Sequence, residues 1–347
     1  MCKHPLKAFQ YGLHEKSGKP NYIIAPYQCK YIDVDIHDVP HKMYNEPVRS
    51  QLTKSIITSF LEIPCGKCIE CRLTYARQWA NRCQVEADQY EKNCFITLTY
   101  SDDYIHFNTF TDPVTGELKK SPTLVKRDIQ NFMKRLRKKY GAGIRFFACG
   151  EYGETTHRPH YHLILFNHDF NDKKLFKVSR GNPYYISDEL SDLWPFGFSM
   201  IGDVSWQSCN YVARYITKKQ YKKKNEEKDC IIYNYEPEFV LMSRKPGIGL
   251  KYYEDNKQDF IRFNGVYLQN GRLFTPPRYF NKKLEIDFGS EYLEKKERNK
   301  KIFNDQSILK DELTDLNYLE RLQVEEDILL KKTKILHRNG ADPLGVL

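Results

Sequence analysis

The residues with the greatest chemical capacity are two histidines set two apart, in Arg158-Pro159-His160-Tyr161-His162-Leu163-Ile164-Leu165-Phe166. The apolar run behind them predicts a strand, and on a strand residues i and i+2 share a face. His160, His162, Ile164 and Phe166 then point the same way. Paired imidazoles on one strand face make half of a metal site. Glu151, in Cys149-Gly150-Glu151-Tyr152-Gly153-Glu154, is the best third ligand. If Ile144 to Cys149 is a strand pairing antiparallel with the histidine strand, Glu151 sits just past its end and approaches the same metal. Glu154 and His157 are substitutes. Two imidazoles and a carboxylate leave positions open for water or phosphate oxygens, a set that suits Mn²⁺, with Mg²⁺ as the more abundant substitute.

Further along stands Tyr211-Val212-Ala213-Arg214-Tyr215-Ile216-Thr217-Lys218. Two tyrosines four apart lie on one helical face. Arg214 and Lys218 each follow a tyrosine by three residues, so each phenol has a cation one turn away. A phenol has a pKa of about 10. To attack phosphorus it needs a base, a nearby cation or both. A metal would polarise the scissile phosphate and offset charge on the leaving oxygen. Plainer readings stand beside these: histidines with ordinary hydrogen bonds, and tyrosines that pack a helix on a sheet.

A third group is Pro64-Cys65-Gly66-Lys67-Cys68-Ile69-Glu70-Cys71, with three thiols within two turns. Clustered cysteines in a long cytosolic chain more often bind metal than form disulfides. Tetrahedral zinc takes four ligands, and Cys2, Cys29, Cys83 or His4 is available as the fourth. Bacterial iron–sulfur spacing asks for a cysteine near position 75, where Tyr75 stands. Reduced free thiols at a helix start are the plain alternative.

These groups need a scaffold. Residues 1 to about 60 show weak periodicity and many turn residues. From Arg72 to Glu91 the pattern is helical, with Leu73, Ala76, Ala80, Cys83 and Ala87 at three- and four-residue steps. Phe95 to Tyr100 reads as a strand. Leu124 to Tyr140 reads as a helix capped by Ser121 or Thr123, apolar on one face and basic on the other, and stopped by Gly141. Ile144 to Cys149 and the histidine run supply two more strands. Residues 168 to 205 are irregular, save a short helix near Ser187 to Leu193 and a strand within Gly197 to Val204. From about Gly289 the chain is charged and helical, an amphipathic arm.

The expected divisions are an N-terminal cysteine-bearing segment and helix (1–90), a core (91–228), a basic accessory region (229–288) and a helical arm (289–347). The expected class is α+β, an antiparallel sheet of ferredoxin-like or RNA-recognition-motif-like type with helices packed on one face.

The chain has 347 residues, a net charge of +10, 25 Tyr and 20 Phe. That balance favours a polyanionic partner, and basic plus aromatic suits single-stranded nucleic acid. AT-rich coding bias accounts for part of it. Lys134 to Lys139, Lys218 to Lys228, and the loop from Arg244 to Gly249 are candidate walls of a DNA path, with Arg214, Lys219, Arg244 and Lys245 as contacts. No apolar run approaches the roughly 20 residues of a membrane span, and the start of the chain lacks a signal-peptide core. The expectation is a cytosolic protein without a membrane partner.

Phe95-Ile96-Thr97-Leu98-Thr99-Tyr100, then His160-Tyr161-His162 ahead of Leu-Ile-Leu-Phe, then Tyr211-x3-Tyr215-x2-Lys218 together resemble the three ordered motifs of HUH endonucleases. Cys65-Gly66-Lys67-Cys68 and Ser243-Arg244-Lys245-Pro246-Gly247-Ile248-Gly249 add a resemblance to the gokushovirus-type microvirus replication initiators, spanning about Pro64 to Leu250. The resemblance implies metal ligands at His160, His162 and Glu151, alternating nucleophiles at Tyr211 and Tyr215, and phosphate contacts from Lys218 and Arg214. It implies nicking of one DNA strand at an origin through a 5′-phosphotyrosine, a 3′-OH that primes a host polymerase, and closure of a circle without ATP. A host helicase is a further partner for the arm, and the bacterial host cytoplasm is the implied setting. A plasmid initiator or mobilisation relaxase would share this chemistry. A non-catalytic zinc-dependent nucleic-acid-binding protein and a water-using metallo-hydrolase are rival readings.

Overall fold

The computed structural model describes residues 2–15, 18–153, 157–179, 181–220, 230–267, 271 and 273–338, without the side chains of 215–220, 267, 310–311 and 333–338. The strands are β1 (Leu6–Leu13), β2 (Pro20–Pro26), β3 (Tyr31–Asp35), β4 (Pro40–Met43), β5 (Thr53–Ile57), β6 (Leu61–Ile63), β7 (Asn93–Thr99), β8 (Phe107–Thr111), β9 (Leu118–Pro122), β10 (Arg145–Tyr152), β11 (Pro159–Phe166), β12 (Lys174–Ser179), β13 (Asn182–Ile186), β14 (Ser199–Gly202), β15 (Phe239–Met242), β16 (Val266–Tyr267) and β17 (Leu273–Phe274). The helices are α1 (Ile69–Ala87), α2 (Lys126–Tyr140), α3 (Asp188–Leu193), α4 (Trp206–Gln220), α5 (Leu250–Phe263), α6 (Arg278–Glu312) and α7 (Tyr318–Arg338). The class is α+β with antiparallel sheets, as expected. No helix among the described residues is long and apolar enough to cross a membrane.

Two compact units divide the chain differently from the four expected segments: residues 1–73 with 304–340 form one, and residues 74–303 the body of the other. The borders fall inside α1 and α6 because packing partners, not sequence neighbours, define a unit.

In the larger unit the strands run in the order β12-β13-β14-β7-β11-β10-β15, and every pairing is antiparallel. Strand parity sorts β11 into two faces. Tyr161, Leu163 and Leu165 pack with Phe132 and Leu136 of α2 and Leu190 and Leu193 of α3. Ile164 and Phe166 pack on the other side, with Ala76, Ala80 and Cys83 of α1 and Cys209, Val212 and Ala213 of α4. Helices thus cover both faces, which corrects the one-face expectation. Because β11 is central and buried on both sides, its apolar residues run on without alternating.

Local features follow the sequence with instructive exceptions. Gly141 (φ 102°) ends α2, its N–H donating to the Arg137 carbonyl. The N-cap of α2 is Val125, however, without a side-chain cap. Thr123 instead accepts from the Glu236 N–H at 2.9 Å, spending its oxygen on a loop. Ser187 caps α3, accepting from the Leu190 N–H at 3.0 Å. The stretch read as irregular holds the β12–β13 hairpin.

The smaller unit holds two three-stranded sheets, β2-β1-β6 and β4-β3-β5, where weak periodicity had suggested only turns. Its core is Phe9, Ala25, Cys29, Ile32 and Val34. Exposed apolar residues such as Tyr22, Ile24 and Ile36 blur the alternation that marks a half-buried strand. The expected arm is α6, broken by non-helical Gly289, followed by α7. α7 is packed rather than free: Leu322 is buried, the Tyr318 ring meets Tyr27 at 5.4 Å, and the Tyr318 hydroxyl donates to Glu62 at 2.8 Å.

Candidate active site

β10 and β11 pair so that Glu151 stands opposite His160 and Cys149 opposite His162. On the other side of β11, β7 sets Thr99 opposite His160 and Thr97 opposite His162. Glu151 lies within β10, not past its end, on the sheet face shared with Cys149, Ile164 and α4. The strand pairing was the condition for bringing it to the histidines, and that condition holds.

The central contact is between Glu151 Oε1 and His162 Nε2 at 2.6 Å, both residues buried. The Tyr211 hydroxyl donates to the same Glu151 oxygen at 3.0 Å and lies 3.4 Å from His162 Nε2. α4 delivers it by packing on β10, β11 and β15. Phe95 stacks on the His162 ring (5.7 Å, 9°) and meets Tyr211 edge-on at 6.4 Å. The Arg214 guanidinium, buried, lies 5.1 Å from the Tyr211 ring centre, a cation held beside the phenol. Tyr215, Lys218 and Lys219 lie in α4, with side chains outside the described residues.

The ring orientations suit a metal. The Thr97 hydroxyl meets His162 Nδ1 at 3.0 Å. His160 Nδ1 donates to the Arg158 carbonyl at 2.5 Å. Ligating histidines are commonly anchored in this way through the other ring nitrogen. With Nδ1 occupied, each ring presents Nε2. The threonine hydroxyl donates or accepts, so its contact also serves the tautomer in which His162 Nε2 carries a lone pair. Burial lowers the His160 pKa from its ordinary 6.5, which favours the neutral, ligating ring. The donor set of two imidazoles and a carboxylate fits a divalent ion, although among the described residues these three do not gather at metal-ligand spacing. Glu151 hydrogen-bonds His162 directly, and that bond has to open for both to ligate. Of the substitute ligands, His157 is exposed at positive φ, and Glu154 lies outside the described residues.

Sequence reasoning missed the roles of Thr97 and Phe95. Both lie on a run read only as a strand, and their alternation placed them on one face of it, the signal that could have found them.

Two expected DNA contacts lie elsewhere. β15 pairs with β10 from Phe147 to Gly150, so Arg244 and Lys245 follow its far end. The Arg145 guanidinium donates to the Pro246 carbonyl at 2.8 Å. Arg145 is six residues along β10 from Glu151, about 20 Å at strand rise. This loop is a structural lock: Arg82 donates to the Ile248 carbonyl at 2.9 and 3.0 Å, and the Gly249 N–H donates to Glu86 at 2.6 Å. The basic run on α2 lies on the opposite sheet face from His162. Arg135 and Arg137 there hold the Leu193 and Ile144 carbonyls. The Lys218 to Lys228 run lies, beyond position 220, outside the described residues.

In the smaller unit Cys65, Cys68 and Cys71 are joined by Cys2, their four sulfurs all within 4.8 Å of one another, a cluster able to hold a metal such as zinc. Cys29 and His4 are not its fourth member, and Cys83 packs in the core of the larger unit.

Known proteins agree with this ordering of elements. Residues 93–220, from β7 through α4, match the family model of replication-associated proteins of the ORF2 type. Replication-associated protein ORF2 of Spiroplasma virus 4 is 32% identical over 261 residues, 73% of this chain and 76% of that one. Replication-associated protein VP4 of Bdellovibrio phage phiMH2K is 33% identical over 296 residues, 79% of this chain and 88% of its own length. Replication-associated protein ORF4 of Chlamydia phage 1 is 28% identical over 255 residues, covering 66% of this chain and 57% of that one. No solved structure matches significantly. The matched span holds both histidines, Glu151, Thr97 and the tyrosine helix, and the chain belongs to the family of phage replication-associated proteins of the gokushovirus group.

Proposed function

We propose that this replication protein initiates rolling-circle synthesis by nicking and rejoining single-stranded DNA at an origin, with Tyr211 as the first nucleophile. The carrying observation is the convergence of the Tyr211 hydroxyl and His162 Nε2 on one oxygen of buried Glu151.

His160, His162 and Glu151 would hold a divalent ion, Mn²⁺ or Mg²⁺, which supplies polarisation of the scissile phosphate. The chain's own residues do the rest. Glu151 accepts the hydrogen bond of the Tyr211 hydroxyl and is placed to draw off its proton as the phenol oxygen attacks phosphorus. The bond from phosphorus to the 3′ oxygen breaks, and that oxygen leaves and takes up a proton. The 5′ phosphate stays on Tyr211 as a phosphotyrosine. Arg214 beside the ring and Lys218 further along the helix are the cations that offset charge on the phosphate. The free 3′-OH primes a host polymerase. Tyr215, one turn on, cuts the regenerated origin, and a 3′-OH then displaces a phosphotyrosine to close the circle. Because each step exchanges one phosphoester for another, closure needs no ATP.

The scaffold supports this reading. In the series β7, α2, β10, β11, α3, β14, the spatial order β14-β7-β11-β10 puts the fourth strand beside the first and the third between first and second. That is a ferredoxin-like arrangement of the HUH type, with the tyrosine helix added on its second face. Arg214 and Lys219 remain candidate contacts to DNA near the site, whereas Arg244 and Lys245 would act only on a distant part of its path. A host helicase is a further partner of this reading.

The test is incubation with 5′-labelled and 3′-labelled single-stranded origin DNA and Mn²⁺, followed by denaturing gels and peptide mass spectrometry. The expected outcome is transfer of the 3′-labelled fragment to Tyr211, abolished in His160→Ala. Cleavage without an adduct would replace the tyrosine mechanism with hydrolysis by water. Binding without cleavage would favour the non-catalytic reading.

A further inference from the structure

The cysteine cluster has no part in strand transfer and lies in the other compact unit. Its geometry is specific. A tetrahedral zinc with Zn–S bonds of about 2.3 Å needs sulfurs about 3.8 Å apart. Cys2 and Cys68 are 3.8 Å apart, and all four sulfurs fall within 4.8 Å of one another. No pair forms a disulfide; all ten cysteines are free thiols. Four sulfurs this close surround a single ion, whereas an iron–sulfur cubane spreads its thiolates over separate irons.

Backbone donors are already aimed at the sulfurs. The N–H groups of Lys67 and Cys68 both donate to Cys65 Sγ at 3.3 Å, as the turn through Gly66 (φ 73°) brings them round. The Cys65 N–H donates to Cys2 Sγ at 3.2 Å, and the Lys3 N–H to Cys68 Sγ at 3.4 Å. Such bonds stabilise thiolate charge, which four sulfurs carry only with a cation among them.

We propose that Cys2, Cys65, Cys68 and Cys71 bind one zinc ion as a tetrathiolate, and that this ion staples the segment around Cys2 to helix α7. Lys3 and His4, immediately after the first ligand, pair with Glu325 and Glu326 of α7, the latter at 2.6 Å. Glu326 is buried. The ion fixes Cys2, Cys2 fixes its two neighbours, and these hold two carboxylates of a helix more than three hundred residues away in sequence. Three of the four ligands come from one turn and helix start, and the fourth from a separate segment. Metal loss therefore frees that segment and, with it, α7.

The experiment uses the full chain, purified anaerobically from zinc-replete medium. Native mass spectrometry is expected to show one zinc per chain, with four thiols protected from alkylation until a chelator is added. Replacing zinc with Co²⁺ should give the intense ligand-field bands of a tetrahedral thiolate site. Cys2→Ser should raise the zinc dissociation constant by more than about a hundredfold, beyond the effect of losing an outer-shell partner. Cys230→Ser should leave it unchanged. Chelation should remove amide-exchange protection from residues 318–332 and spare β7 and β11. A chain without zinc, iron in its place, or unchanged affinity in Cys2→Ser would overturn the assignment. Unchanged exchange across α7 after chelation would overturn the staple. The wild-type cobalt spectrum and alkylation count decide the site even if a cysteine variant fails to fold.

Discussion

Tyr211→Phe removes one oxygen and separates chemistry from packing. The lost hydroxyl donates to Glu151 at 3.0 Å. A hydrogen bond to a charged acceptor contributes about 1.5–3 kcal/mol. Glu151 keeps its 2.6 Å contact with His162, so no carboxylate is orphaned and the low end applies, about 1.5 kcal/mol. The ring's contacts with Phe95 and His162 survive. In a unit of about 230 residues that cost lowers Tm by only about 3–6 °C. The chemical effect is much larger. Tyr215 lies one turn along α4, about 6 Å of rise, and cannot place its oxygen on Glu151 without moving the helix. Misplacing a reacting group by about 1 Å already costs about 100-fold. The first adduct on a 3′-labelled strand should therefore form at least about 100-fold more slowly, in a protein with near-native melting. Gel quantification of the adduct, alongside a thermal melt, measures both. Wild-type adduct rates with the DNA mapped to Tyr215 would refute the assignment of Tyr211 as first nucleophile. A fall in Tm beyond about 10 °C would refute the claim that the hydroxyl is only a modest structural contact.

Thr97→Val keeps the shape of the side chain and deletes the partner of His162 Nδ1, so Mn²⁺ affinity and nicking should each fall by about 10–100-fold, as read by metal titration and initial rates. Unchanged metal affinity would remove Thr97 from the site. Glu86→Ala strands buried Arg145 and the Gly249 N–H and should cost about 3–5 kcal/mol in denaturant unfolding. A cost under about 1 kcal/mol would mean the Arg244 to Gly249 loop is not locked there. Burial lowers the His168 pKa below its ordinary 6.5, so as pH falls through that value the unfolded chain takes up the proton first and stability declines. His168→Gln should flatten the acid side of the Tm–pH profile below about 6.5; a profile parallel to wild type would contradict this.

What the sequence by itself determined was local. A two-residue strand period put His160 and His162 on one face, a four-residue helical period did the same for Tyr211 and Tyr215, and Gly141 and Ser187 marked helix ends. Each depends only on backbone geometry within a few residues. The tertiary structure decided everything that needed two elements to meet. The register of β10 on β11 set Glu151 opposite His160, and the seat of α4 brought Tyr211 to that carboxylate. Packing on β7 turned Thr97 and Phe95, ordinary strand residues, into the support of His162. It also separated charges that looked alike in sequence, sending the basic face of α2 to the opposite side of the sheet and Arg244 to a structural loop. Cys2 could not be chosen over Cys29, Cys83 or His4 from spacing, because chain closure over some sixty residues carries almost no preference for one partner. Only the fold of the smaller unit selects it.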